Sequence, residues 1–129
     1  MRVVYSVAKD GLLTGLFDLS SATLTAELVT TYTYDDTDAT MLDVSTSPGE
    51  QAPVTGVTVA KGVVTSDDIT FGTVGGTDAV TGIIVYVNAG TRAGSTPLVF
   101  TDQRIDSLAI NVTPNGGDIT FSFDFLLKI

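Results

Sequence analysis

The chain contains no cysteine, no histidine and no tryptophan, and only 6 Lys and Arg residues stand against 15 Asp and Glu. Without imidazole or thiol it lacks the commonest general base, the thiolate nucleophile and the usual ligands of zinc, copper and haem. Most enzyme mechanisms are closed to such a sequence, and the expectation is a protein that is not an enzyme and carries no cofactor. The absence of Cys also removes disulfide staples, so stability must come from burial and from partners.

Positive charge is scarce. A formal net charge of -9 opposes any association that works by neutralising phosphates or anionic head groups, so neither nucleic acid nor a membrane is an expected partner. Long apolar runs are missing as well. Nothing reaches the 18 or so consecutive apolar residues of a spanning helix, which predicts a soluble chain. Asp10 and Asp18 interrupt the opening stretch Met1 to Leu19 and no small-residue cleavage pattern follows, so it does not read as a signal peptide.

What is present is apolar, β-branched and threonine-rich. With 43% hydrophobic residues in a length of 129, burial can offset the entropy of ordering, and one domain is expected. The only candidate helix lies at Ser6 to Phe17, where Val7, Ala8, Leu12 and Leu16 recur at helical spacing; Arg2-Val3-Val4-Tyr5 before it reads equally as a strand.

From Ala22 the period changes to two. Ala22, Leu24, Ala26 and Leu28 alternate with Thr23, Thr25 and Glu27, the pattern of a half-buried strand. Tyr32 to Thr40 is a polar, Asp-rich surface loop, and Ser47-Pro48-Gly49 is a turn. Pro53 to Val59 reads as a strand bulged at Gly56, with short strands at Gly62 to Val64 and Ile69 to Phe71. Ile83 to Val87 has no polar interruption, which marks the central strand. Leu98 to Phe100 follows. A hairpin is expected from Leu108-Ile110-Val112 through Pro114-Asn115-Gly116-Gly117-Asp118 to Ile119, Phe121, Phe123 and Phe125. Seven to nine short strands with turn signals between them predict a mostly β fold, an antiparallel β-sandwich or small barrel with one short N-terminal helix.

Asp35-Asp36-Thr37-Asp38, with Asp43 nearby, offers the hard oxygen ligands that calcium takes. It lacks the Gly and Glu of an EF-hand loop, so a solvated acidic loop is the simpler reading and a cation site the alternative. Asp67-Asp68 and the pair Asp102 and Asp106 read as turn residues, and the Gly72 to Gly76 and Gly90 to Gly94 loops carry no phosphate-binding Lys. Function is expected in contact surfaces. The candidates are the apolar N-terminal residues Val3, Val4 and Tyr5; the loop residues Tyr32, Tyr34, Asp35 and Asp36; the scarce cations Arg92 and Arg104, which suit either inter-subunit or private ion pairs; and the apolar tail Leu126, Leu127 and Ile129.

The order of segments resembles a family of small virion structural proteins of tailed bacteriophages, often encoded beside the major capsid protein. The resemblance runs through Phe17-Asp18-Leu19, Thr23 to Val29, the Tyr/Asp loop Tyr32 to Asp38, Leu42 to Ser45, Asp67-Asp68-Ile69-Thr70-Phe71, Gly82 to Asn88, Gly90-Thr91 and Pro97 to Asp102. It departs at Phe71, where Trp is common, and in the more aromatic C-terminal segment. It implies a non-enzymatic capsid decoration or cement protein. Such a protein would be made in the host bacterial cytoplasm and carried on the virion capsid surface, with the major capsid protein and itself, as a trimer or other small symmetric oligomer, for partners. A tail or head-to-tail joining subunit is the alternative, and a carbohydrate-binding β-sandwich a further one.

Overall fold

A computed structural model describes residues 1–44 and 49–128. The fold is mostly β and antiparallel, with one short helix. In chain order the elements are β1 (Arg2–Val4), α1 (Ser6–Leu13), β2 (Leu24–Val29), β3 (Gln51–Pro53), β4 (Thr58–Ala60), β5 (Val63–Thr65), β6 (Ile69–Phe71), β7 (Gly82–Val87), β8 (Thr96–Thr101), β9 (Ile119–Phe121) and β10 (Leu127–Lys128). They form a five-stranded sheet in the order β1-β8-β7-β2-β3, a three-stranded sheet β10-β5-β4 and the pair β6-β9.

The uninterrupted apolar run lies where its composition requires. Strand β7 is the middle of the largest sheet, with Ile83, Ile84, Val85 and Tyr86 all buried between β2 and β8. Its register against β8 slips between Val85 and Tyr86, so that Tyr86 faces Pro97. The slip leaves Leu98 as the extra residue, next to the one side chain in that strand that removes a backbone donor from the ladder.

Strand β2 differs from the half-buried expectation, because all six of its residues are buried. The Thr25 and Glu27 face is covered by the segment carrying Asn88 and Arg92: Asn88 donates to Thr25 Oγ1 at 3.0 Å, and Arg92 reaches Glu27. Period-two alternation signals two chemically different faces, and here the polar face meets polar protein instead of water.

The helix stops at Leu13, short of Phe17, because Gly15 takes φ 73°, a left-handed conformation that ends a helix, and Leu16 N–H closes back onto Gly11 C=O at 2.8 Å. The expected bulged strand from Pro53 to Val59 is two strands in two sheets. Gly56, at φ 63°, turns the chain between them.

The hairpin expected before the C-terminus does not form. Residues 102–112 make only isolated bridges, Gln103 with Ala109 and Val112 with Val80, and β9 pairs with β6 instead. There Phe121 meets the fully buried Phe71 edge-on at 6.3 Å, a better apolar partner than the exposed Leu108. The Pro114 to Asp118 loop is tied to the Val74 connection through Val74 N–H to Gly117 C=O and Gly116 N–H to Val74 C=O. Phe121 is core, whereas Phe123 and Phe125 are half-buried. The turn expected at Ser47-Pro48-Gly49 and the Ser45 end of the Leu42 step reach outside the described residues.

Candidate functional site

The acidic loop folds onto the start of α1. Tyr5, the residue preceding the helix, makes no side-chain cap, which leaves the first backbone donors without a local acceptor. Asp36 supplies the acceptor from the distant loop, taking the Ser6 N–H at 3.0 Å together with the Ser6 and Tyr34 hydroxyls. These hydrogen bonds, the Ser6 hydroxyl first, hold the Asp36 carboxyl down at about 2.

Behind it lies a buried relay. Tyr32 donates to Asp38 Oδ2 at 2.6 Å, so its own oxygen must accept from Tyr5, 2.8 Å away. Burial pushes the Tyr5 hydroxyl well above the usual phenol range and Tyr32 up to about 12. Among the described residues Asp38 has no ion-pair partner, and burial raises its carboxyl above its ordinary value; the Tyr32 hydrogen bond opposes the rise and the nearby Asp35 and Asp43 charges add to it.

The remaining loop carboxylates are committed to the loop itself. Asp35 accepts from the Thr37 N–H and hydroxyl at 2.9 and 2.7 Å, and Asp43 accepts from the Ala39 and Thr40 N–H groups at 3.0 and 3.1 Å. Among the described residues no three acidic side chains converge as a metal site would require.

The positions singled out from sequence therefore separate. Tyr5, Leu126 and Leu127 are buried within the chain and Tyr32 nearly so, which corrects the expectation that they face a partner. Leu127-Lys128 is strand β10, docked on Val63-Val64 of this same chain: an end that looked unfavourable in water is covered internally. Val3 and Val4 are half-buried on an edge strand and Tyr34 is half-buried against Phe100, while Asp35 and Asp36 are exposed. Ile129 lies outside the described residues.

Both arginines form private pairs, one of which is far from an ordinary surface bridge. Arg92 donates to both carboxylate oxygens of the wholly buried Glu27, at 2.8 and 3.3 Å, and to Met41 C=O at 3.0 Å. That guanidinium is spent inside the chain and is not available to a neighbour. Arg104 pairs with exposed Asp106 at 2.9 Å, an interaction of little energetic weight.

Surface apolar residues that sequence reasoning missed are more informative. Leu13 and Leu16 at the end of α1 are 79% and 74% exposed, Val59 on edge strand β4 is 49% exposed, and Ile105 and Leu108 are 56% and 59% exposed. Two grooves flank the end of α1. One is lined by Val4, Lys9, Leu13 and Lys128, the other by Leu12, Phe17, Leu19, Val59 and Val64 with Asp18 at its margin. A third runs beside β9 between Ile105, Val112, Ile119, Phe121 and Phe123. The available signal was Leu13, a leucine adjacent to the apolar stripe but outside it. No helix among the described residues is long and apolar enough to cross a membrane.

Comparison with protein-family models, with curated proteins and with solved structures finds no match.

Proposed function

We propose that this chain is a non-enzymatic structural protein of a tailed-bacteriophage virion, a capsid decoration or cement protein that binds the assembled major capsid shell. The observation that carries the reading is the placement of large apolar side chains in water on a chain whose core is otherwise closed: Leu13 and Leu16 at one site, Ile105 and Leu108 at another. Scattered single apolar residues need no explanation, but adjacent ones beside apolar grooves mark surfaces that another macromolecule covers. The segment-by-segment resemblance to small phage virion proteins supplies the kind of particle.

The physics of the role is consistent with the rest of the chain. Strong net negative charge keeps the free protein dispersed, and docking on a shell repeats one modest contact at many equivalent positions, which stabilises the lattice by mass action. The carboxylates that might suggest chemistry serve as caps and turn acceptors, as Asp36, Asp35 and Asp43 do.

Co-sedimentation tests this. Purified chain mixed with capsid shells that lack it should pellet with them and saturate at a copy number fixed by shell symmetry, and the decorated shells should withstand higher temperature. A chain left in the supernatant at every concentration, or one bound only to tails, overturns the decoration role.

A further inference from the structure

The chain's asparagines are Asn88, Asn111 and Asn115, and an asparagine followed by a residue without a side chain is the least shielded from attack by its own backbone. Only Asn115 has such a neighbour. Asn88 precedes Ala89 and is fastened at both ends, with Nδ2 donating to Thr25 at 3.0 Å and Oδ1 accepting from the Gly90 N–H at 2.8 Å. Asn111 precedes Val112, whose β-branched side chain crowds its nitrogen and whose N–H is bound to Val80 C=O at 3.0 Å. Asp10-Gly11, the comparable acidic step, lies inside α1, where Gly11 is buried and helical backbone holds its nitrogen away from the Asp10 carboxyl.

The Asn115 side chain is exposed, and among the described residues its carboxamide is engaged only through Oδ1, which accepts from the Gly117 N–H at 2.9 Å. The group that must leave is free. The Gly117 donor polarises the Cγ carbonyl and stands ready for charge that develops on its oxygen. One bond opposes the reaction: Gly116 N–H donates to Val74 C=O at 2.8 Å, and while it does so the nitrogen neither yields its proton to solvent nor swings onto Cγ. That restraint is shared with Val74 N–H to Gly117 C=O at 3.0 Å and Thr73 N–H to Asp118 Oδ1 at 3.0 Å. Exposed loops held by so few bonds open at low free energy.

We propose that Asn115 is the chain's site of spontaneous modification, closing onto Gly116 as a succinimide and opening to aspartyl and isoaspartyl forms at a rate set by release of the Gly116–Val74 hydrogen bond. The Gly116 nitrogen bonds to Cγ, the Cγ–Nδ2 bond breaks, and ammonia leaves with the proton that the Gly116 nitrogen gave up. Solvent water then opens the ring. Cleavage at the side-chain carbonyl leaves aspartate, which still accepts from Gly117, whereas cleavage at the main-chain carbonyl leaves isoaspartate, which lengthens the backbone by a methylene. The longer chain no longer matches the Val74 connection, and the loop feeding β9 loosens. The inference does not rest on the virion reading.

Ageing the purified full chain in mildly alkaline buffer, followed by peptide mapping and enzymatic methylation of isoaspartyl carboxyls, tests it. Amide loss should fall on Asn115 while Asn88 and Asn111 stay intact, and the isoaspartyl signal should vanish in Asn115→Gln. The loss should be several-fold faster in denaturing urea. Two variants isolate the restraint: Asp118→Ala removes the acceptor of the Thr73 N–H, and Asp118→Asn removes the same charge but keeps an acceptor oxygen, so the first should age several-fold faster than the second. Circular dichroism confirms that both are folded; should Asp118→Ala unfold, the unaltered chain in sub-denaturing urea gives the same comparison, with Asn115 loss rising in step with exchange at the Gly116 amide. Asn88 or Asn111 converting first, Asn115 surviving in the folded chain while the denatured chain converts fully, a rate indifferent to urea, or equal ageing of the two Asp118 variants overturns the proposal.

Discussion

Glu27, with no solvent exposure at all, is held at 2.8 Å by Arg92, a residue 65 positions away whose side chain is itself only a quarter exposed. The pair fastens four parts of the chain together: besides joining β2 to the Arg92 segment, Gln51 Nε2 donates to the same Glu27 oxygen from β3 at 2.9 Å, and Arg92 reaches Met41 C=O.

Truncating one partner should therefore cost far more than the pair itself contributes. Arg92→Ala leaves a buried carboxylate without its cation, and about 3 kcal/mol or more of stability should be lost. The double change Glu27→Leu with Arg92→Met should be much milder. Arg104→Ala, at an exposed pair, should change stability by less than about 1 kcal/mol. Urea unfolding of the three variants checks the order.

Asp38 should be a destabilising charge at neutral pH. Its carboxyl titrates higher in the folded chain than in the unfolded one, because burial and the Asp35 and Asp43 charges disfavour ionisation. Between the unfolded value near 3.8 and the raised folded value the native state holds the extra proton, so this group's contribution to stability falls as pH rises through that window. Asp38→Asn, whose amide oxygen still accepts from Tyr32, should raise the melting temperature at pH 7 and remove this group's share of the fall in stability across that window.

Asp36 has the opposite sign. Its carboxyl is held down at about 2 by Ser6 and Tyr34, so the stability it contributes is complete above the unfolded value of 3.8 and is lost as pH falls toward 2. Asp36→Ala should remove that acid transition and fray the start of α1. Hydrogen exchange at the Ser6 amide, which Asp36 accepts, should accelerate while the β7 amides stay protected.

Arg2 clamps the C-terminal segment. Its guanidinium lies 4.3 Å from the Phe125 ring centroid, donates to Phe125 C=O at 3.0 Å and pairs with Asp124. Arg2→Ala should loosen residues 122–128 with little effect elsewhere, seen as faster proteolysis or exchange there and not in β2 or β7.

How much of this was legible in the sequence depended on whether a residue's neighbours were local. The Ile83 to Val87 run announced the central strand because burial on both faces leaves a contiguous apolar signature. Leu24, Ala26 and Leu28 placed β2 correctly, but Thr25 and Glu27 looked like a wet face, since their partners Asn88 and Arg92 are more than sixty residues on. Ile119 to Phe121 was legible as a strand and not its pairing, because β6 lies fifty residues back and a turn-rich loop beside it suggested a hairpin. The same limit hid the contact surfaces. Tyr5, Leu126 and Leu127 look exposed at the ends of a chain, and only the tertiary fold covers them, while of the apolar side chains left in water, Leu16, Leu42, Ile105 and Leu108 among them, only Leu13 stood outside a local apolar stripe.

The central claim is that the chain acts by covering and being covered on a capsid shell. A cryo-microscopy reconstruction of purified particles tests it most directly. The account predicts density fitting this mostly β fold at repeated positions on the outer capsid surface, with its exposed leucines against neighbouring subunits. A well-resolved particle with no such density on the capsid would contradict it.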